Sequence, residues 1–299
     1  MMRRPAVLLT FSLLVARSAG AQLVPGRDLL AFPLGLNAEA PALESIAGLG
    51  LWNPASILVP EGSRLRLAVG AMSAPVDVAV SAQYAMVATR WRSGITVGMS
   101  IAAASVQDLL RTDSDPESIG DEIPYSTNVL SALAARVVGP VTLGTALRVR
   151  NGRLDNEQRS AVSLDVGVIT RGFGSHDVRL GASTFLASPF SQRKERASLL
   201  TAIDARLAGR DSLRTARIGV SSMLSDGLSR EEYAYVGARY ARLEGRVGAA
   251  RTEAYGQSNW RARLGIAFHH RGYAIAVARE ESAGNLSATY QFSLSSVLR

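Results

Sequence analysis

The sequence predicts an all-β protein, an antiparallel transmembrane β-barrel of about 14 strands with a short N-terminal plug segment. Three observations support this prediction. The chain opens with an export signal, it continues with fourteen short segments that alternate apolar and polar residues, and the connections between these segments alternate between tight and long. A barrel inserted from the periplasm has this arrangement because one rim carries turns and the other carries loops.

The first 21 residues have the three parts of a secretory signal. Arg3 and Arg4 form its basic region, residues 5–16 are apolar, and Ala19-Gly20-Ala21 fits a cleavage site. The apolar part is too short to cross a bilayer, and no later stretch has the roughly 18 uninterrupted apolar residues that a spanning helix needs. We therefore expect a signal peptide at 1–21, a plug segment at 22–63 and a barrel at 64–299, located in the cell outer membrane.

Charge and cysteine content exclude two other classes of protein. The formal net charge is +8, but the basic residues are scattered singly, whereas a nucleic-acid surface needs clustered Lys and Arg. The chain contains 0 Cys, which excludes a disulfide-based secreted scaffold and agrees with a large sheet closed on itself. The expected partner of the barrel wall is outer-membrane lipid.

Most of the fourteen segments suit a tilted crossing of about 9–11 residues. They lie at 64–72, 76–89, 94–106, 125–138, 141–150, 158–170, 177–187, 194–208, 212–224, 230–242, 245–254, 258–269, 273–280 and 285–295.

Alternation within these segments predicts which face meets lipid. Between Leu286 and Leu294 every second residue is apolar, and the segments at 141–150 and 258–269 repeat the pattern with arginine on the polar face. An arginine at the lipid midplane costs about 2–4 kcal/mol, so mid-strand charges should face the lumen. In the segment at 245–254, no choice of register sends all mid-strand charges to the lumen. Its Arg246 and Arg251 lie on opposite faces, and we expect them near the two rims.

A set of charged residues is thereby assigned to the lumen. Its arginines could favour anionic solutes, as basic rings do in pores, or they could form an ion-pair network with Asp77, Asp165 and Asp204. Polar barrel interiors need such pairing, which favours the network. The assigned residues are Arg148, Arg150, Asp165, Arg217, Arg239, Arg261 and Arg263.

The connections test the topology independently. If the first strand runs outward, the inner connections at 139–140, 209–211, 243–244 and 270–272 are tight, and the outer ones at 107–124, 151–157, 188–193 and 225–229 are longer. The outer connection Ala74-Pro75 is an exception. Asn151-Gly152 is also a type I′ hairpin signal, which would place that turn several residues early.

A soluble β-sandwich or propeller shares the regular short strands. Such a fold would place its large apolar residues inward and would need bulkier packing than these many Ala and Gly positions supply. The export signal together with the loop asymmetry favours the barrel.

The plug segment contains one local structural signal. In the motif Trp52, Asn53, Pro54 and Ala55, the Asn-Pro pair predicts a helix start with Asn as the cap and Pro at the first helical position. Two interpretations are open. The motif is either a capped turn over the barrel floor or part of a plug inside the lumen.

Neither catalysis nor a cofactor is indicated, and no metal site is predicted. The three histidines are His176, His269 and His270, the adjacent pair points to opposite faces of a strand, and no nucleophile motif accompanies them. The acidic stretch from Asp108 to Glu122 has oxygen ligands of the kind that Ca²⁺ prefers, but its spacing matches no EF-hand and favours a solvated loop.

The order of several weak motifs resembles a known family. A Gly-rich run ending in Trp-Asn-Pro-Ala, then Ile123-Pro124-Tyr125-Ser126, then Ser163-Leu164-Asp165-Val166-Gly167 and a final Tyr290-Gln291-Phe292, together resemble FadL-type outer-membrane proteins and more closely their PorV/PorQ branch. The resemblance implies a 14-stranded barrel with an N-terminal plug. Family roles range from uptake of hydrophobic molecules to docking of cargo in type IX secretion.

The expected function is therefore non-enzymatic. The barrel would pass small or hydrophobic molecules beside its plug, or present its rim to a secreted cargo protein. The alternative is a structural outer-membrane barrel without a transport role. Short loops, and an ending in Val297-Leu298-Arg299 rather than a terminal aromatic residue, depart from the long-chain fatty-acid transporters of the family.

Overall fold

A computed structural model describes the protein at residues 24–30, 38–45, 49–74, 79–91, 94–111, 121–188, 197–211, 213–225, 229–254, 256–281 and 288–299. The predicted signal peptide at 1–21, Asp77 and the middle of the acidic stretch lie outside these residues. In this described part, no helix is long and apolar enough to cross a bilayer.

Fourteen strands and three short 3-10 helices make up the regular structure. The 3-10 helices are η1 (Asp28–Leu30), η2 (Pro41–Leu43) and η3 (Pro54–Ile57). The strands are β1 (Leu65–Ser73), β2 (Val80–Arg90), β3 (Ile95–Val106), β4 (Tyr125–Val138), β5 (Val141–Leu154), β6 (Glu157–Thr170), β7 (Arg179–Phe185), β8 (Ser198–Asp211), β9 (Arg214–Ser225), β10 (Ser229–Tyr240), β11 (Leu243–Ala254), β12 (Gln257–His270), β13 (Tyr273–Glu280) and β14 (Thr289–Leu298).

The strands close into one barrel, as the sequence predicts. Each strand pairs antiparallel with its neighbours in the chain, and β1 pairs with β14 from Leu65 opposite Leu298 to Ser73 opposite Tyr290. Closure removes the unpaired edges that an open sheet would expose. The bounds of β4 and β13 are those that the alternation predicts.

The wall has an apolar outside and a mixed inside. On β12, Leu264, Ile266 and Phe268 are exposed, while the alternate residues Arg263, Gly265 and Ala267 are buried. The large apolar residues of the wall do not meet each other between two sheets, so the sandwich alternative is wrong. An exposed apolar band of this kind suits the hydrocarbon of a bilayer.

Turn lengths differ between the two rims. Four inner connections, at 139–140, 212–213, 241–242 and 271–272, are two residues long, whereas outer connections include 107–124 and 186–197. The inner connection at 171–178 is an exception because Phe173 and Val178 form a small bridge within it. The outer connections at 155–156 and 255–256 are tight.

Three predicted turns are wrong in position. Asn151-Gly152 lies inside β5, and the hairpin turns at Asp155, which adopts the left-handed backbone with φ of 54°. Gly152 has a packing role instead, because a Cβ there would overlap the carbonyl of Pro25. Residues 209–211 continue β8 through a register shift, and residues 243–244 begin β11, since its ladder with β10 reaches Leu243 opposite Tyr240.

Strand β11, whose inward face the sequence did not settle, carries one arginine on each face. Arg246 faces the lumen in the inner half of the strand and binds Glu39 and Glu244. Arg251 faces outward near the outer end and donates to Ser258 at 2.9 Å. Arg251 is therefore near a rim as predicted, whereas Arg246 lies in the lumen.

A pair of substitutions on β10 tests the lipid-facing band. Val236→Arg places a charge near the middle of the strand and should lower the free energy of unfolding by about 2–4 kcal/mol, whereas Tyr240→Arg at the inner end should cost about 0–1 kcal/mol. Unfolding by urea in lipid vesicles measures both. Equal costs would show that the exposed apolar residues do not face hydrocarbon.

Candidate functional site: the lumen and its N-terminal segment

The described parts of the N-terminal segment, residues 24–30, 38–45 and 49–63, lie against the inner wall. Leu30, Leu49 and Ile57 have no exposed surface, and Trp52 is 1% exposed and packs on Phe185 of β7 with ring centroids 4.6 Å apart. Helix η3 contacts strands β3 to β6, and η2 contacts β6 to β8. The segment and the wall therefore share one apolar cluster.

A pair of glycines makes room for the motif at 52–55. Gly144 on β5 and Gly167 on β6 are direct register partners, so the wall has a hollow two residues wide. A Cβ at Gly144 would overlap the backbone of Pro54 and Ala55, and one at Gly167 would overlap Asn53. Only glycine allows the segment to approach the wall this closely.

Asn53 fixes the motif in this hollow. As predicted, it caps helix η3, and its side-chain Oδ1 accepts from the backbone N–H of Ala55 at 3.0 Å. Its amide Nδ2 donates to the carbonyl oxygens of Ala42 at 2.7 Å and Val168 at 3.3 Å. One fully buried side chain thus joins two parts of the segment to strand β6.

Arg148 holds the turn that precedes the motif. It donates from Nη2 to the carbonyl oxygens of Gly50 at 3.1 Å and Leu51 at 2.7 Å, and from Nε to Asp165 at 2.5 Å. Neither Arg148 nor Asp165 has an exposed side chain. The second oxygen of Asp165 accepts from the backbone of Ala187 at 2.9 Å.

Strands β6 and β7 pair over only three residues at this place. Leu186 has a left-handed backbone with φ of 56°, which bends the chain away beyond β7. Side chains replace the missing ladder bonds, because Thr184 accepts from the N–H of Val166 at 3.0 Å and Asp165 accepts from Ala187. Asp165 on β6 therefore links Arg148 on β5 to the chain that follows β7.

Two further wall arginines bind carbonyls of the segment. Arg150 donates to Val24 at 3.1 Å. Arg66 on β1 donates to Ser56 and Leu58 at 3.0 Å each and to Ser45 at 2.7 Å. Sequence reasoning missed Arg66, although its position before Ala68 on the inward face of β1 carries the same signal as the other luminal arginines.

A separate ion network lies in the outer half of the lumen. Arg263 binds Glu231 at 2.8 Å and also binds Glu280, and Arg261 contacts the same two carboxylates at 2.9 and 2.5 Å. Arg263 also lies over the ring of Tyr233, 5.0 Å from its centroid, and the hydroxyl of Tyr233 donates to Ala38 at 2.8 Å. Sequence reasoning missed both glutamates, which stand near strand ends.

Arg217 and Arg239 lie elsewhere, in the inner half. Arg217 binds Asp204 and Asp177 at 2.7 Å each. Arg239 lines an open cavity beside them. The structure thus distributes the residues assigned to the lumen over three places. It brings Arg148 and Asp165 together with the motif at 52–55, with Arg150 on the same strand against Val24. It separates these residues from Arg261 and Arg263 and from Arg217 and Arg239.

The two histidines of β12 have no common site. His269 contacts Glu244 at 2.9 Å, whereas His270 stacks on Phe268 with ring centroids 6.5 Å apart on the other face. Among the residues that the structure describes, no group of three His, Cys, Asp or Glu could hold a metal ion.

Glu44 is a buried acid within the segment. Its Oε1 accepts from the N–H of Trp52 at 3.3 Å and of Asn53 at 3.4 Å, while its Oε2 has no hydrogen-bond partner among the described residues. Burial raises the pKa of the Glu44 carboxyl well above its ordinary value of 4.5, and the nearby Glu39 raises it further.

Comparison with known proteins places the fold. No protein-family model and no curated protein matches the chain. Among solved structures, the toluene transporter TodX of Pseudomonas putida matches at 10% identity with a TM-score of 0.55, covering 88% of this chain and 98% of that one. A TodX ΔS2S3 mutant, a monoaromatic hydrocarbon channel, matches at 12% identity and a TM-score of 0.58, covering 89% and 98%.

The monoaromatic hydrocarbon channel CymD is also similar, at 12% identity and a TM-score of 0.59, with 86% of this chain and 94% of that chain covered. At such identities the likeness shows a shared fold. The shared fold agrees with the barrel that the FadL-type resemblance implies, and the FadL-type resemblance itself remains a prediction. The PorV/PorQ branch remains a prediction.

Removal of Arg148 tests whether it holds the segment. Arg148→Met leaves Asp165 buried without its partner and should lower the free energy of unfolding by about 3–5 kcal/mol. Hydrogen exchange at residues 49–57 should accelerate, because the carbonyls of Gly50 and Leu51 lose their donor. Arg230→Met is the control, since Arg230 is exposed at the outer rim and pairs with Glu232, away from the segment. Unchanged exchange in Arg148→Met would contradict this role.

The Glu44 carboxyl predicts a dependence on pH. Because its folded pKa is raised, the bound segment is most stable below pH 4.5 and loses stability as the pH rises through the folded pKa. Hydrogen exchange at residues 49–57, corrected for the intrinsic effect of pH, should therefore show more frequent opening at higher pH. Glu44→Gln should abolish this dependence, and an identical pH profile in the variant would refute the assignment.

Proposed function

We propose that this protein is a non-enzymatic outer-membrane barrel that passes small hydrophobic molecules, with its N-terminal segment as the plug that closes the lumen. The observation that carries the proposal is the apolar cluster shared by the segment and the wall. The fold that the chain has in common with monoaromatic hydrocarbon channels also supports passage of small hydrophobic molecules.

The wall behind the segment has the chemistry of an apolar passage. Met86, Leu133, Phe185 and Leu200 are at most 4% exposed and pack in the same cluster as Trp52. If the segment moved aside, these side chains would line the path and would need an apolar occupant. A small hydrocarbon supplies such an occupant because it has no polar group of its own to bury.

The attachment of the segment allows such movement. None of its described residues belongs to the sheet, and it is held through bonds from side chains such as Arg66, Arg148 and Asn53 to backbone groups. Its displacement therefore leaves the ladder of the barrel intact. Binding of a solute in its place would offset the loss of the apolar contacts.

Docking of exported protein is the second candidate, including the type IX-like role that the resemblance implies. The close packing of the described segment against the inner wall favours it, because a barrel whose segment stays in place could not serve as a pore. A purely structural barrel is the remaining alternative. Both predict that hydrophobic solutes do not cross, which separates them from the proposal.

Substitution of Gly144 by a larger residue tests whether the segment is the plug. Gly144→Val should displace Pro54 and Ala55, because its side chain would occupy the space of their backbone. We expect ion conductance in planar bilayers to rise, and uptake of toluene by intact cells to exceed that of the wild type. Gly245→Val is the matched control, since a Cβ there meets no atom within 4 Å.

Each result bears on the proposal. Wild-type protein should itself raise toluene uptake above that of cells without it. No uptake by the wild type and by Gly144→Val would rule out passage and leave docking or a structural role. Equal conductance of Gly144→Val and Gly245→Val would rule out the segment as the plug.

A further inference from the structure

A polar cavity of about 380 Å³ opens in the inner half of the lumen. Its volume falls in the range of small-molecule sites, about 300–1,000 Å³. The ends of strands β7 to β11 form it, and Ser45 of the N-terminal segment lies at its edge. Five guanidinium groups and three carboxylates line it, so positive charge is in excess.

The carboxylates are already engaged. Asp204 accepts from Arg179 at 3.0 Å and from Arg217 at 2.7 Å, and it also accepts from Tyr235 at 3.2 Å. Asp177 accepts from Arg217 at 2.7 Å. These two acids are therefore shared between two arginines that face the same space.

The third carboxylate, Glu244, is engaged as well. One of its oxygens binds Arg246 at 2.5 Å and the other contacts His269 at 2.9 Å. Arg246 in turn binds Glu39 of the segment at 2.8 Å. Glu244 is the register partner of Arg239, yet both of its oxygens are directed to other partners.

Two of the five arginines are not bound by these three carboxylates. Arg206 and Arg239 have no carboxylate partner among the residues that the structure describes, and each has only a long contact of 3.4 Å to a backbone carbonyl, that of Ser175 and that of Ala241. Arg206 also stands directly opposite Arg217 in the β8–β9 register. Like charges in directly opposite positions destabilise a sheet, and the acids that bind Arg217 do not bind Arg206.

We propose that this cavity binds a small oxyanion, a carboxylate or a phosphate, between Arg206 and Arg239. Guanidinium groups match both anions through paired, charge-assisted hydrogen bonds. The bound anion would relieve the repulsion between Arg206 and Arg217. The site lies in the inner half of the lumen and does not depend on passage of hydrophobic molecules.

Titration of the purified full-length barrel in detergent tests the site, with inorganic phosphate and benzoate as separate probes. We expect saturable binding of at least one probe. Arg206→Gln and Arg239→Gln should each weaken that binding about tenfold, since each removes one charged hydrogen-bond donor. Arg206→Lys should retain part of the affinity because it keeps the charge.

Arg230→Gln, at the outer rim, should bind as the wild type does. Absence of saturable binding of both probes, or equal affinity in Arg206→Gln, Arg239→Gln and the wild type, would overturn the proposal. Toluene uptake is measured on the same variants. Loss of anion binding with uptake unchanged would separate this site from the proposed passage.

Discussion

Buried backbone carbonyls of the N-terminal segment need donors inside the lumen, and the arrangement of the site depends on how the wall supplies them. The described segment contains only short 3-10 helices, so few of its carbonyls are satisfied within the segment. Arg66, Arg148 and Arg150 supply the missing donors from the wall. An unpaired carbonyl buried in this interior would cost about 1–3 kcal/mol, which explains why long cationic side chains are placed there.

Close approach is the second constraint. A guanidinium group reaches a carbonyl only if the segment lies near the wall, and the opposed pair Gly144 and Gly167 permits this. The small side chains that rule out a sandwich core serve here to accommodate a chain inside a barrel. The outward faces of the same strands keep their large apolar residues for lipid.

Charge in the lumen has two uses that the sequence pattern does not distinguish. Arg148 and Arg263 are buried, fully paired and structural, which fits the network interpretation. Arg206 and Arg239 face open space and have no carboxylate partner in the described part of the chain, which fits the interpretation that favours anions. Both kinds occupy inward positions of alternating strands, so only the position of neighbouring acids separates them.

The sequence by itself determined the barrel, its antiparallel order and its inward face, because alternation along one strand is a local property and a one-residue slip would invert it. It also determined the Asn53 cap, which depends on neighbours in the chain. The role of Gly152 was decided by its close approach to Pro25, and the turn at Asp155 by contacts with Pro124 and Arg111 on other parts of the chain. The partners of each luminal arginine were decided only by the tertiary structure, since folding brings together residues far apart in the chain, such as Arg148 and Leu51, which are 97 positions apart.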